Sequence, residues 1–178
     1  MLKTAASILL VLMAVSPACG ENWPHWRGPY YNGSTTETDL PADWSTTENI
    51  RWSVELPGPS AATPIIWDRA VFISSTDPDA NLLKASCFDR NDGALLWQHD
   101  VSPGYRRDPR STFSAPSPVT DGNVVVFFYS NGAMAGFDLQ GNPLWKRNIE
   151  DDYGEFAFQW TFSSSPLLFG GKLYLQVL

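Results

Sequence analysis

The chain is poor in the residues from which covalent or metal-based sites are built: of 178 residues, two are cysteine and two are histidine. Cys19 lies in the N-terminal segment and Cys87 deep in the chain, so no disulfide framework is encoded. His25 and His99 have no partner at metal-ligand spacing, so a metal site is unsupported. Positive charge is scarce as well. Twelve Lys and Arg against nineteen Asp and Glu give a net charge of −7, and the cations form no stripe, so nucleic acid and anionic membrane surfaces are not expected partners. No window repeats apolar residues at helical spacing, which points to an all-β chain.

Long apolar runs are also missing, with one exception at residues 5–15. That run is too short to span a bilayer. Lys3 precedes it and Ser16-Pro17-Ala18-Cys19-Gly20 offers small residues for cleavage, so residues 1–20 are expected to be a signal peptide and the mature chain to be periplasmic or extracellular, with no transmembrane span. Cleavage after Ala18 would expose Cys19, the position acylated in bacterial lipoproteins. Ser16 stands where such signals carry Leu or Val, which favours ordinary cleavage over a lipid anchor.

What the chain does have is tryptophan in phase. Trp52, Trp97 and Trp145 are 45 and 48 residues apart, and Trp97 to Pro118 and Trp145 to Pro166 are both 21 residues. A period of roughly 40 to 50 residues is that of four-stranded propeller blades. The text around the tryptophans repeats too. Phe88-Asp89 before Gly93 and Leu96-Trp97 matches Phe137-Asp138 before Gly141 and Leu144-Trp145, a hairpin signal in which Asp and Gly make the turn. Ser117-Pro118 and Ser165-Pro166, with a weaker copy at Thr63-Pro64, each open a strand that turns into a β-prone run. Residues 124–129 are apolar on both faces, as expected of a strand sandwiched between sheets.

These marks predict an all-β fold: a β-propeller of four-stranded antiparallel blades, incomplete, with about two and a half blades. The segments are a leader over 21–49, a closing strand over 50–56, blades over 63–101 and 117–149, and a partial blade over 164–178. The closing strand resembles the strand that ends each repeat, so it is expected to complete the final blade of the ring. A ring closes with four to eight blades, and the chain is therefore expected to be part of a longer product.

The Phe-Asp, Gly, Leu-Trp repeat with its Ser-Pro-Val-x-Asp-Gly strand opener resembles the pyrroloquinoline-quinone (PQQ)-like β-propeller repeat family. Quinoprotein alcohol dehydrogenases and the propeller lipoprotein of the outer-membrane β-barrel assembly machinery belong to that group. The leader Trp23-Pro24-His25-Trp26-Arg27-Gly28-Pro29 is also similar to secreted members, so the resemblance covers about residues 22–178. It implies that Trp52, Trp97 and Trp145 pack between blades. For dehydrogenases it implies PQQ, a Ca²⁺ and a vicinal Cys pair, but this chain has no adjacent cysteines, and Asp89 and Asp138 read as turn residues. No catalytic residue is assigned, and PQQ and Ca²⁺ stand only as what the resemblance implies. Glu150-Asp151-Asp152 offers oxygen ligands but reads as a solvated loop between blades.

Three functions follow. The leading one is a secreted, non-catalytic scaffold for protein interaction or assembly. The alternatives are the N-terminal part of a PQQ- and Ca²⁺-dependent dehydrogenase, or a propeller binding a carbohydrate or other small ligand. Candidate contacts are Trp26 and Arg27 in the leader, with Trp23 and His25 beside them, and Arg106, Arg107 and Arg110 in the long loop 102–113. The bland reading of the first set is a strap, and of the second a set of pairs with local acids such as Asp108.

Overall fold

The structure is a computed structural model that describes residues 20–106, 111–157 and 160–177. Three antiparallel sheets follow one another along the chain. The first holds β1 (Ile65–Trp67), β2 (Ala70–Asp77), β3 (Leu82–Asp89) and β4 (Leu95–Pro103), in the order β1-β2-β3-β4. The second repeats it with β5 (Val119–Thr120), β6 (Val125–Phe128), β7 (Ala133–Phe137) and β8 (Pro143–Asn148). The third is the hairpin β9 (Leu167–Phe169) and β10 (Lys172–Tyr174). First strands meet first strands, β1 against β5 and β5 against β9. Consecutive sheets thus converge at one edge and fan outward, the arrangement of propeller blades.

The doubly apolar run divides by parity. Val125, Phe127 and Tyr129 face the first blade, where they pack with Phe72, Leu83, Cys87 and Val101. Val126 and Phe128 face the other way, into a second core with Met134, Ile149 and Phe162. Because successive side chains point to opposite faces of a strand, one sequence feeds two cores. At about 1.5–3 kcal/mol for each large side chain buried, this stacking is the main source of blade cohesion.

Both complete blades carry the same irregularity. The register of β3 with β4 shifts between Cys87 and Phe88, and that of β7 with β8 between Gly136 and Phe137. Trp97 opposes Cys87 while Leu95 opposes Phe88, so Leu96 is the extra residue; Leu144 is its counterpart. A bulge of this kind bends and twists its strand. It comes just before the tryptophan.

The tryptophans dock from one sheet to the next. Trp97 Nε1 donates to Leu139 O at 3.1 Å, and its ring covers Gly141, where a Cβ would come within 2.6 Å of it. Trp52 Nε1 donates to Arg90 O at 2.8 Å and covers Gly93, at 2.7 Å from such a Cβ. Both glycines also hold φ near +80°, the left-handed region that side chains avoid. Trp145 lies over Gly136 of its own blade.

Residues 50–56 run without a ladder partner among the described residues, as a strand meant for a sheet not present here would, and Trp52 docks. One segment differs from expectation. The acidic run Glu150-Asp151-Asp152, expected as a loop, lies in a short helix, α1 (Ile149–Tyr153). Asn148 caps it by accepting from Glu150 N, and three acids in the first turn suit the helix dipole, local signals too short to register as periodicity. The segment 1–19, including Cys19, lies outside the described residues.

Candidate functional site

The leader does more than run extended. Trp23 exchanges two backbone hydrogen bonds with Ile66, at 2.8 and 2.9 Å, on the edge of β1 that β2 leaves free. Pro24 O then accepts from Thr120 N of β5 at 2.9 Å. A tight turn over 26–31 follows, held by Gly28 N to His25 O at 2.8 Å and by Arg27 Nε to Tyr31 O at 2.8 Å. Tyr31 ends edge-on to Phe169 of β9, 6.2 Å between centroids. The strap therefore crosses the converging edges of three consecutive sheets.

His25 is buried inside this strap, its Nδ1 accepting from Arg27 N at 3.2 Å and its ring 4.4 Å from Tyr31. Desolvation, and secondarily the Arg27 charge, hold its pKa below the ordinary histidine value. Trp26 and Arg27 remain outside, with the Arg27 guanidinium 5.2 Å over the Trp26 ring.

Beneath Trp26 the Ser-Pro strand openers form a chain of their own. Thr63 N donates to Ser117 Oγ at 2.9 Å, and Ser117 N donates to Ser165 Oγ at 3.0 Å. Equivalent positions of three repeats are thus linked hydroxyl to backbone. These residues line a basin of about 550 Å³ together with Trp26, Ser164 and Gln176. The repeat made the prolines visible; that the preceding hydroxyl ties each sheet to the one before it is a relation between blades, and only the recurrence of Ser before Pro could have signalled it.

The two expected contact sets do not meet. Arg106 lines a different cavity, of about 210 Å³, with Phe113, Glu150, Phe156 and Trp160. Arg107, Arg110 and Asp108 lie outside the described residues. A third groove, of about 280 Å³, separates β4 from β8 and is lined by His99, Val101, Phe137, Leu144, Trp145 and Lys146. Leu95, Leu96 and Leu144 are each more than half exposed on these outer strands.

The described residues do not fit the quinone and Ca²⁺ chemistry that the propeller resemblance implies. Asp89 accepts from Asn91 N at 2.8 Å and pairs with Arg69 at 2.7 Å, and the turn amide and then the guanidinium hold its carboxyl below the usual range. Asp138 is committed to Asn142 in the same way, at 2.8 Å to both the amide and the side chain. Asp152 pairs with Arg147 at 2.6 Å and Glu150 accepts from Phe156 N at 2.9 Å. No group of three His, Cys, Asp or Glu among the described residues could hold a metal. Burial, and then the Asp89 charge, pushes the Cys87 thiol up to about 12, so it is a packing residue and not a nucleophile. No helix among the described residues is long and apolar enough to cross a membrane.

Known proteins place this geometry. No curated protein matches the chain. Among solved structures it is similar to BamB from Moraxella catarrhalis, at 20% identity and TM-score 0.50, over 71% of this chain and 37% of that one. It is also similar to quinohemoprotein alcohol dehydrogenase from Comamonas testosteroni (17% identity, TM-score 0.44, 68% of this chain and 18% of that one). A europium-containing methanol dehydrogenase aligns at 19% identity and TM-score 0.36 over 48% and 15%. The chain thus spans little more than a third of the BamB it matches. Residues 34–175 match the PQQ_2 family, described as outer membrane protein assembly factor BamB, and with that match covering most of its length the chain belongs to the PQQ-like β-propeller repeat family.

Proposed function

We propose that the protein is an exported, non-catalytic scaffold that acts by binding other proteins in assembly at the outer membrane. One observation carries this reading. Asp89, Asp138, Trp52 and Trp97 are committed to turns and to docking one blade on the next, while Leu95, Leu96 and Leu144 stand exposed on successive outer strands. Apolar side chains displayed at repeated positions suit a protein partner. The family description supports the same direction, and the segment 1–20 would supply export to the periplasm. We also propose that residues 50–56 serve as the outer strand of the sheet preceding the first blade, because Trp52 meets that blade as Trp97 meets the second.

The test is affinity isolation of the full-length protein from cell envelopes after cross-linking, with partners identified by mass. Outer-membrane assembly components should be recovered, and a Leu95→Asp, Leu96→Asp, Leu144→Asp variant should lose them while keeping its melting temperature. Recovery that is unchanged in that variant, or recovery without any assembly component, overturns the reading.

A further inference from the structure

We propose that the basin between the strap and the Ser-Pro strand openers is a binding site for a neutral saccharide, with Trp26 as its platform. The proposal is independent of the scaffold reading.

The geometry of the wall comes first. At about 550 Å³ the basin falls within the range of roughly 300–1,000 Å³ typical of ligand sites. Among the described residues its lining is Trp26, Thr63, Ser111, Ser117, Ser165 and Gln176 with other serines and alanines, and it holds neither an acid nor a base. A charged ligand would find no counter-charge among the described lining residues; Arg27, stacked on the Trp26 ring beside the basin, is not part of that lining. A hydrophobic one would leave the hydroxyls unpaired, at a cost comparable to a lost hydrogen bond for each.

The hydroxyls are also oriented. Ser117 Oγ accepts from Thr63 N and Ser165 Oγ accepts from Ser117 N, so each oxygen is fixed by a backbone donor from the neighbouring blade. A serine hydroxyl has one proton to donate besides its acceptor capacity. For both residues that proton has no acceptor among the described residues. Ser117 is only 4% exposed, so a nearly buried hydroxyl at the basin wall has its oxygen held by Thr63 N and, among the described residues, no acceptor for its proton. Two such donors from successive repeats present themselves to an acceptor-rich ligand.

Trp26 completes the chemistry. It is 49% exposed although it belongs to a strap anchored on both sides, by Trp23 on β1 and by Tyr31 on Phe169. Arg27 stacks on the ring, which limits its motion. A pyranose has an apolar C–H face and a rim of hydroxyls. It would lay the first on the indole face that Arg27 leaves open and offer the second to Ser117, Ser165 and Gln176.

Titration of the full chain with cellobiose, maltose and diacetylchitobiose, followed by calorimetry and tryptophan fluorescence, tests the site. At least one of these should bind saturably in the millimolar range or tighter. Trp26→Ala should weaken that binding by at least about tenfold, the loss expected when an aromatic anchor is truncated, and Trp26→Phe by less. Arg106→Ala, in the other cavity, should leave it unchanged. Melting temperatures of all three variants should match the parent, since the Trp26 side chain is half exposed. No saturable binding of any probe overturns the proposal, as does binding that survives Trp26→Ala or fails equally in Arg106→Ala.

Discussion

Trp97 and Trp145 occupy one position of the repeat, follow the same bulge and yet sit in different surroundings. Trp97 leaves its sheet for the next: its ring lies 5.5 Å from Phe137 and 6.1 Å from Phe127, both in the second blade, and its indole N–H reaches Leu139 O. His99 reinforces the junction, stacked 4.8 Å from Phe137 with Nε2 donating to Gly141 O at 2.8 Å. Trp145 stays 38% exposed over Gly136 of its own blade. Trp97 meets the β7–β8 turn of the next sheet, and among the described residues no equivalent turn of a third sheet stands opposite Trp145.

Trp97→Ala should have the largest effect, because it empties a junction shared by two blades. We expect a loss of about 3–4 kcal/mol, near the range for truncating large core aromatics, measured by urea unfolding of the full chain. A loss below that of Trp145→Ala would break the comparison. Gly141→Ala attacks the same junction from the other side. The new Cβ meets the Trp97 ring and must hold a φ of +89°, so overpacking and backbone strain together should cost about 2–3 kcal/mol. Gly170→Ala separates the two causes: its φ is +57° and nothing lies within 4 Å, leaving strain alone, about 1 kcal/mol. Equal losses at the two glycines would remove the contact with Trp97 as a cause.

Trp145→Ala should cost only about 1 kcal/mol, as its ring is partly solvated and truncation leaves no closed cavity. The smallest effect is a pH dependence in the strap. The folded state holds the His25 pKa below the ordinary value near 6.5, so the unfolded chain binds a proton that the folded chain refuses. Stability should therefore fall as pH drops below about 6.5 toward the folded value. Thermal melts between neutral and mildly acidic pH should show this decline, and His25→Gln should flatten it. An unaltered slope in His25→Gln would assign the dependence to other groups.

The fold was legible because its signals are local and recur. Tryptophan spacing, Asp and Gly in the hairpin turn, and runs apolar on both faces all report the same blade. Helix α1 was not legible because five residues hold little more than one turn, too few for an apolar stripe to repeat, and its cap is a single Asn148 side chain. The candidate site was only half legible. Trp26 and Arg27 stood out by composition, yet nothing in the text places them above Ser117 and Ser165 or keeps Arg106 in another cavity.

The amino-acid sequence by itself determined the all-β class, the length of the blade, the turn residues and the alternation that feeds two cores, because each depends on residues within one repeat. Only the tertiary structure decided what the Trp97 ring covers in the next blade, where the strap crosses, and that the hydroxyls of three repeats share one basin. Those are contacts between blades, set by packing across distances of 40 residues and more along the chain, where no local pattern carries the information.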